Sequence, residues 1–119
     1  MDSASDNVIA AALIALAVGL AFIAGCAVYY GRQISCRKIP MQWGPDGKPT
    51  WFAPRLIGLW SSFGVTAVLS AFLLVLALHK PQKLTALIVA TVSVIGANMW
   101  VQVHHLKRVI RWQAETPAT

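Results

Sequence analysis

The sequence predicts an all-α integral membrane protein with three transmembrane helices and a Pro/Trp-rich interfacial loop between the first two. Three observations support this. The chain has 119 residues, 57% of them hydrophobic and only 12% charged, where an ordinary globular domain is about 25% charged. Its apolar residues gather in three runs, residues 8–30, 56–78 and 84–106, and none of these contains Asp, Glu, Lys or Arg. Each run is 23 residues long; at about 1.5 Å rise per residue, a helix of that length crosses a hydrocarbon core of about 30 Å. Backbone polar groups in lipid need internal partners, which selects helix, and the short alternating segments of a membrane barrel are not seen. Residues 1–119 are therefore read as a single membrane domain.

The opening "MDSASDN" holds two Asp and neither Lys nor Arg. The first run then offers small residues at spacing four, Ala17, Ala21 and Gly25, and in parallel Ala11, Ala15 and Gly19. Each set forms a stripe on one helix face, where small side chains let helix backbones approach in lipid. "IAGC", residues 23–26, has the general shape of a lipoprotein cleavage box with Cys26 as the lipidated residue. A signal peptide normally needs a positive N-terminal residue, and none is there. Cys26 reads as a membrane-facing residue and Cys36 as a reduced thiol, since the pair fits neither a disulfide framework nor a metal-spacing motif.

Residues 31–55 form the connection to the second run, and "IPMQWGPDGKPTWFAPR" is its distinctive part. Pro40, Pro45, Pro49 and Pro54 each restrict φ and remove a backbone donor. Gly44-Pro45-Asp46-Gly47 fits a type I turn. Pro54 suits the first turn of the second helix. Trp43, Trp51 and Phe52 fit an aromatic belt, with Arg55 snorkelling toward headgroups. The segment reads as stiff and partly laid on the membrane. Asp46 is its one acid, and no His or Ser accompanies it in the quoted stretch to make a nucleophile–base constellation. No phosphate loop or metal cluster is seen either, so no catalysis and no cofactor are expected.

The second run carries Ser62, Thr66 and Ser70 on one face, and the third carries Thr91, Asn98, Gln102 and His105 on one face. The expectation is that these faces meet, with Asn98 and Gln102 hydrogen-bonded to neighbouring helices. A proton or cation pathway would usually display an intramembrane carboxylate. All four acids, Asp2, Asp6, Asp46 and Glu115, lie outside the apolar runs. His79 ends the second run, whereas His104 and His105 end the third on the opposite side of the bilayer, about 30 Å away, too far to share one haem iron within a chain. The tail, residues 107–119, alternates basic residues with Val109, Ile110 and Trp112 and is expected to extend the third helix by a turn or two. It would anchor in headgroups or dock to a partner.

The formal charge is +6. No aromatic-basic nucleic-acid module accompanies it, so anionic lipid headgroups are the expected partner and nucleic acid is not. Arg32, Arg37, Lys38, Lys107, Arg108 and Arg111 are the candidate headgroup residues. Three spans put Lys80 and Lys83 on one side, against eight basic residues on the other. The positive-inside rule then places the first connection and the tail in the cytoplasm, with the N-terminus outside.

"IPMQW" followed by "DGKPTWFAPR", between a first and a second membrane helix, resembles the SdpI-type bacterial immunity proteins, in particular their short N-terminal membrane domain. The matching positions are Pro40, Gln42, Trp43, Gly47 and Arg55, and the resemblance covers about residues 8–78. SdpI-type proteins are longer, with more spans. The resemblance implies a bacterial inner-membrane protein, and Pro40, Gln42, Trp43, Asp46, Gly47, Trp51 and Arg55 are the candidate recognition or interface residues of the loop. The function expected from size and packing stripes is a non-catalytic accessory or structural subunit bound to other integral membrane proteins. The alternative is an SdpI-like immunity or sensing protein. A third is a small homo-oligomeric transporter whose lumen would use Thr66, Asn98 and Gln102.

Overall fold

A computed structural model describes residues 3–116. The order of elements is α1 (Ser3–Gly31), β1 (Lys38–Trp43), β2 (Pro49–Pro54), α2 (Arg55–His79), a single 3-10 turn (Pro81–Lys83) and α3 (Leu84–Glu115). All three long helices are long and apolar enough to cross a membrane. The molecule measures 59 × 27 × 18 Å. Its long dimension is about twice a hydrocarbon core of about 30 Å, so a sizeable part of it lies beyond the apolar spans. Most of that part is at one end, where α3 runs on past Leu106 without a break to Glu115.

The helices run longer than the apolar segments because nothing stops them. No proline interrupts residues 3–31 or 84–115, and the Lys, Arg, Gln and Glu of the tail continue a helix about as readily as Leu or Met. The tail's helical extension thus takes in nearly all of its described residues. Between α2 and α3, Pro81 cannot supply the next helical N–H. Lys80 instead donates to Leu76 O at 2.8 Å, and Lys83 to Lys80 O at 2.9 Å.

The connection between α1 and α2 departs from the all-helical expectation, because β1 and β2 form an antiparallel hairpin. Its pairs are Lys38 with Pro54, Ile39 with Ala53, Pro40 with Phe52, Gln42 with Trp51 and Trp43 with Pro49. Shifts on either side of Gln42 leave Met41 and Thr50 as extra residues. Prolines within a short run argue against a strand, which hides this hairpin in the sequence. A two-stranded ribbon has only edge strands, where missing N–H groups are tolerated, and bulges absorb the remaining mismatch. The turn is as expected at its first step: Gly47 N–H donates to Gly44 O at 3.0 Å. Gly47 then takes φ +79°, and Gly44 N–H donates to Lys48 O at 2.8 Å. That is a type I turn followed by a left-handed residue, a common three-residue hairpin loop. Pro54 sits one residue before the helix, with φ −54° and ψ 149°, as the last residue of β2.

A lone two-stranded hairpin is marginal in water, and this one is held by the helices. Ile39 is fully buried beside Gly58, whose missing side chain makes the room: a Cβ there would lie 2.6 Å from Ile39 Cβ. The main apolar cluster gathers at this end of the bundle, from Cys26, Ala27, Ile34, Ile39, Leu59, Leu106 and Val109. Every long helix, the linker and the hairpin contribute to it. Cys26 therefore faces the interior and not the membrane.

A methyl group at position 58 cannot be absorbed by a side-chain tip, because it meets Ile39 at its Cβ. Gly58→Ala is expected to destabilise the protein by about 1–3 kcal/mol through overpacking. A Cβ at Gly25 or Gly64 would meet nothing within 4 Å, so Ala at either position should be neutral or stabilising by up to about 1 kcal/mol. Thermal unfolding in mild detergent, followed by tryptophan fluorescence, compares the three.

Candidate functional site

The best-defined polar constellation lies where α1 ends, the hairpin closes and α2 begins. A helix ends with carbonyls that lack partners and carry partial negative charge. The Arg55 guanidinium meets that need, with Nη2 donating to Gly31 O and Nη1 to Ile34 O. Arg55 N–H donates to Arg37 O at 3.0 Å. One residue thus satisfies the end of α1, the linker and the start of α2. This differs from the expected snorkelling role: the charge is turned inward onto backbone oxygen. Gly31 leaves the space for it, since a Cβ there would lie 3.2 Å from Leu59 Cδ1 and 3.7 Å from Arg55 Nη2.

Cys36 lies half-buried in this linker. Burial pushes its thiol above the ordinary value, opposed by a hydrogen bond from its own backbone and by the charge of Arg55. It is held as a thiol and not as a nucleophilic thiolate. Both cysteines are free.

The outer side of the hairpin rests on the extended part of α3. Trp43 and Phe52 pack on Trp112 with ring centroids 6.4 and 5.9 Å apart. Arg108 lies over the Trp43 ring, 4.3 Å from its centroid, in cation–π geometry. His105 Nε2 is 2.7 Å from Pro40 O. Gln113 Oε1 accepts from Ser35 N–H at 2.9 Å, and Gln113 Nε2 donates to Gln33 O. The apolar face of the tail is therefore covered by the chain's own linker and hairpin, with Val109 fully buried. Of the other loop candidates, Gln42 and Trp51 are exposed on the strands, and Asp46 serves the turn by accepting from Lys48 N–H at 3.1 Å.

These contacts divide the basic residues of this end. Arg55 is spent on backbone carbonyls and Arg108 on Trp43. Arg32, Arg37, Lys38 and Lys48 are exposed on the linker and hairpin. Lys107 and Arg111 line an open groove of about 570 Å³ with Tyr30, Gln33, His104 and Ile110.

Inside the bundle, Gln102 is 1% exposed and joins all three helices. Its Nε2 donates to Ile23 O of α1 at 3.2 Å and to Leu59 O of α2 at 3.1 Å. Asn98 behaves differently: its Nδ2 donates to Val94 O of its own helix at 2.9 Å. Thr91 likewise donates to Leu87 O at 2.8 Å. Back-bonding within one turn satisfies a polar group locally and needs no neighbour. Thr66 and Ser70 are fully buried, with hydroxyls that have no partner, and Ser62 is half-buried. A transport lumen made from Thr66 and Gln102 would require both to leave the interior of the single chain.

The small-residue stripes of α1 part company. Gly19 is buried, and a Cβ on it would run into Ile95 of α3. Ala17, Ala21 and Gly25 all lie on the exposed side, with open space beside Gly25. The residues that α1 buries are Ala12, Gly19, Ile23, Cys26, Ala27 and Gly31. Sequence reading overlooked Gln113 and the groove residues Tyr30 and Gln33. The signal for Gln113 was present: Gln102, Leu106, Val109 and Gln113 follow at intervals of four, three and four, which continues the buried face of α3. No group of three or more His, Cys, Asp or Glu that could hold a metal ion occurs among the described residues. No protein-family model, curated protein or solved structure matches the chain.

Arg55→Gln keeps a polar side chain but loses the charged fork. Hydrogen bonds to charged groups contribute about 1.5–3 kcal/mol, so the variant should lose about that much stability. Amide hydrogen exchange should rise over residues 31–38 before it rises in the middle of α3. A second outcome concerns Cys36: iodoacetamide should alkylate it more slowly than a free thiol at neutral pH. The rate should still climb with pH above the range where an ordinary thiol has levelled off, because the raised pKa delays thiolate formation. Mass spectrometry of the labelled protein reads both rate and site.

Proposed function

We propose that this protein is a small multi-pass membrane protein that acts by binding, as an accessory subunit of a larger membrane assembly. The observation that carries this reading is that α1 buries Ala12, Gly19, Cys26 and Ala27 within the chain and leaves the small residues Ala17, Ala21 and Gly25 outward. Small residues favour close backbone approach in lipid, and a helix of another membrane protein fits the Ala17, Ala21 and Gly25 face. At most 22% of the most apolar window of any of the three helices is buried within the chain, so ample side surface is left for a neighbour. The distribution of charge supports an orientation with the hairpin and the end of α3 in the cytoplasm and the start of α1 outside. A bacterial inner membrane is the setting that the family resemblance suggests.

The resemblance also supports a second reading, SdpI-like immunity or sensing, with the hairpin as the recognition element. The exposed positions Gln42, Asp46 and Trp51 favour it, because they stand outward on a rigidly docked strand pair and turn. Pro40, Gly47 and Arg55 have structural tasks, and a change there would disturb the hairpin whatever it recognises.

Gentle-detergent purification of the tagged native protein, with quantitative mass spectrometry of what accompanies it, tests the first reading. Ala17→Leu combined with Gly25→Leu should abolish stoichiometric co-purification of membrane proteins. It should change the melting temperature of the isolated chain little, since Ala17 is exposed and a Cβ at Gly25 would meet nothing within 4 Å. Recovery of the wild type alone, or an undiminished complex in the double variant, would overturn the α1 interface. Loss of protection against a toxin on Trp51→Ala, with no accompanying subunits, would support the second reading instead.

A further inference from the structure

We infer that the groove between the end of α1 and the extended part of α3 is a binding site for an anionic phospholipid, held by Lys107 and Arg111. The inference rests on the three helices spanning a bilayer and is independent of the outward face of α1.

Lys107 and Arg111 are one helical turn apart, a spacing that puts Cβ atoms about 5–6 Å from each other. Both are exposed and line the same groove of about 570 Å³. Tyr30 supplies the facing wall from the last turn of α1, and its ring meets that of Tyr29 edge-on at 5.0 Å. Gln33 adds an exposed amide beyond it, and Ile110 gives an apolar floor. The acidic residue nearest in sequence is Glu115, one turn beyond Arg111 and outside the groove lining.

The chemistry changes in order along α3. Trp100 is 62% exposed on the apolar span. The ring of His104 stacks on it at 4.1 Å between centroids with 23° between planes. Lys107 and Arg111 follow in the next turns. This sequence of indole, imidazole and two cations matches the passage from acyl chain through the interface to phosphate. Basic pockets between membrane helices on the cytoplasmic side are a recurrent form of headgroup recognition. The remaining cations help to single out this pair. Arg55 and Arg108 are already occupied, and Arg32, Arg37, Lys38 and Lys48 do not line the groove. A phosphate between Lys107 and Arg111, with its acyl chains lying down the apolar sides of α1 and α3, satisfies both charges without disturbing the bundle.

The test is native mass spectrometry of the full chain, purified in mild detergent and exchanged with phosphatidylglycerol, cardiolipin or phosphatidylcholine. The comparison variants are Lys107→Gln with Arg111→Gln, and Arg37→Gln with Lys38→Gln, which remove the same charge elsewhere. The wild type should retain an anionic lipid in preference to phosphatidylcholine. A basic residue near an anionic surface contributes roughly fivefold, so the groove variant should lose about 25-fold in retained lipid and the other variant little. Melting without lipid should be the same for both variants, as all four side chains are exposed. Equal loss in both variants would mean diffuse charge attraction and overturn the site, as would equal retention of phosphatidylcholine. A groove variant that keeps its lipid but loses a co-purifying protein would also overturn it, and would make the groove a protein-binding surface.

Discussion

The inward-turned Arg55 is the interaction on which the extramembrane end depends. A buried helix terminus with unpaired carbonyls is costly, and Gly31, the last residue of α1, is buried. One guanidinium from the start of α2 meets this by donating to the last carbonyl of α1, Gly31 O, and to Ile34 O in the linker that follows. The chain between those points must then return to where it left, and a closed hairpin is a compact way to do so. Lys38 pairs with Pro54 at the base, and Arg55 N–H closes the circuit on Arg37 O. Once the base is set, Ile39 falls into the space opened by Gly58, and Trp43 arrives over α3. The capping residue therefore positions the aromatic contacts without touching them.

Gln102 plays the corresponding part inside the bundle, by different means. In lipid, apolar side chains gain little by leaving lipid for one another, and helix contact relies on packing and hydrogen bonds. Most of the polar residues in the spans give no direction: Asn98 and Thr91 bond to their own helix. Gln102 is long enough to reach past its own backbone to the other two helices. Its two donor hydrogens suit two carbonyls that already accept within their helices, because each carbonyl has a second lone pair. Gly19 lets α1 come close to Ile95, which brings Ile23 O within reach. The site where three helices meet is thus specified by one long amide and one missing side chain.

The three helices were legible in the sequence because length and apolarity alone decide them. The polar face of α3 was legible too, since spacing reports which residues share a face. It does not report which of them reach a neighbour, and so Asn98 and Gln102 could not be told apart. The hairpin was hidden for a definite reason. Pro40, Pro49 and Pro54 are poor strand residues in general, and they fit only because both strands are edges and bulges separate the pairs. The inward role of Arg55 was hidden as well, since snorkelling and capping both suit an arginine at a helix start and only the location of the end of α1 decides between them. The two stripes of α1 looked equivalent in sequence. Ile95 distinguishes them, by filling the hollow at Gly19 and leaving Gly25 open.

The net charge of +6 gains meaning only when the cations are separated by what they touch. Read as a total, it predicts attraction to any anionic surface. In the folded chain Arg55 is consumed by backbone and Arg108 by an indole. Arg55 cannot reach a headgroup without giving up the carbonyls that fix the base of the hairpin. The linker and hairpin cations stand apart in solvent, where single charges are screened over about 8–10 Å at ordinary salt. Lys107 and Arg111 differ because α3 continues as a helix beyond the apolar span and holds them one turn apart, against the end of α1. That continuation is itself stabilised by the hairpin, which covers Val109 and Trp112 on the other side. The same hairpin that occupies one basic residue therefore sets two others at fixed spacing. A local change at Trp43 should then be felt on the opposite side of α3, through the order of the helix and not through direct contact.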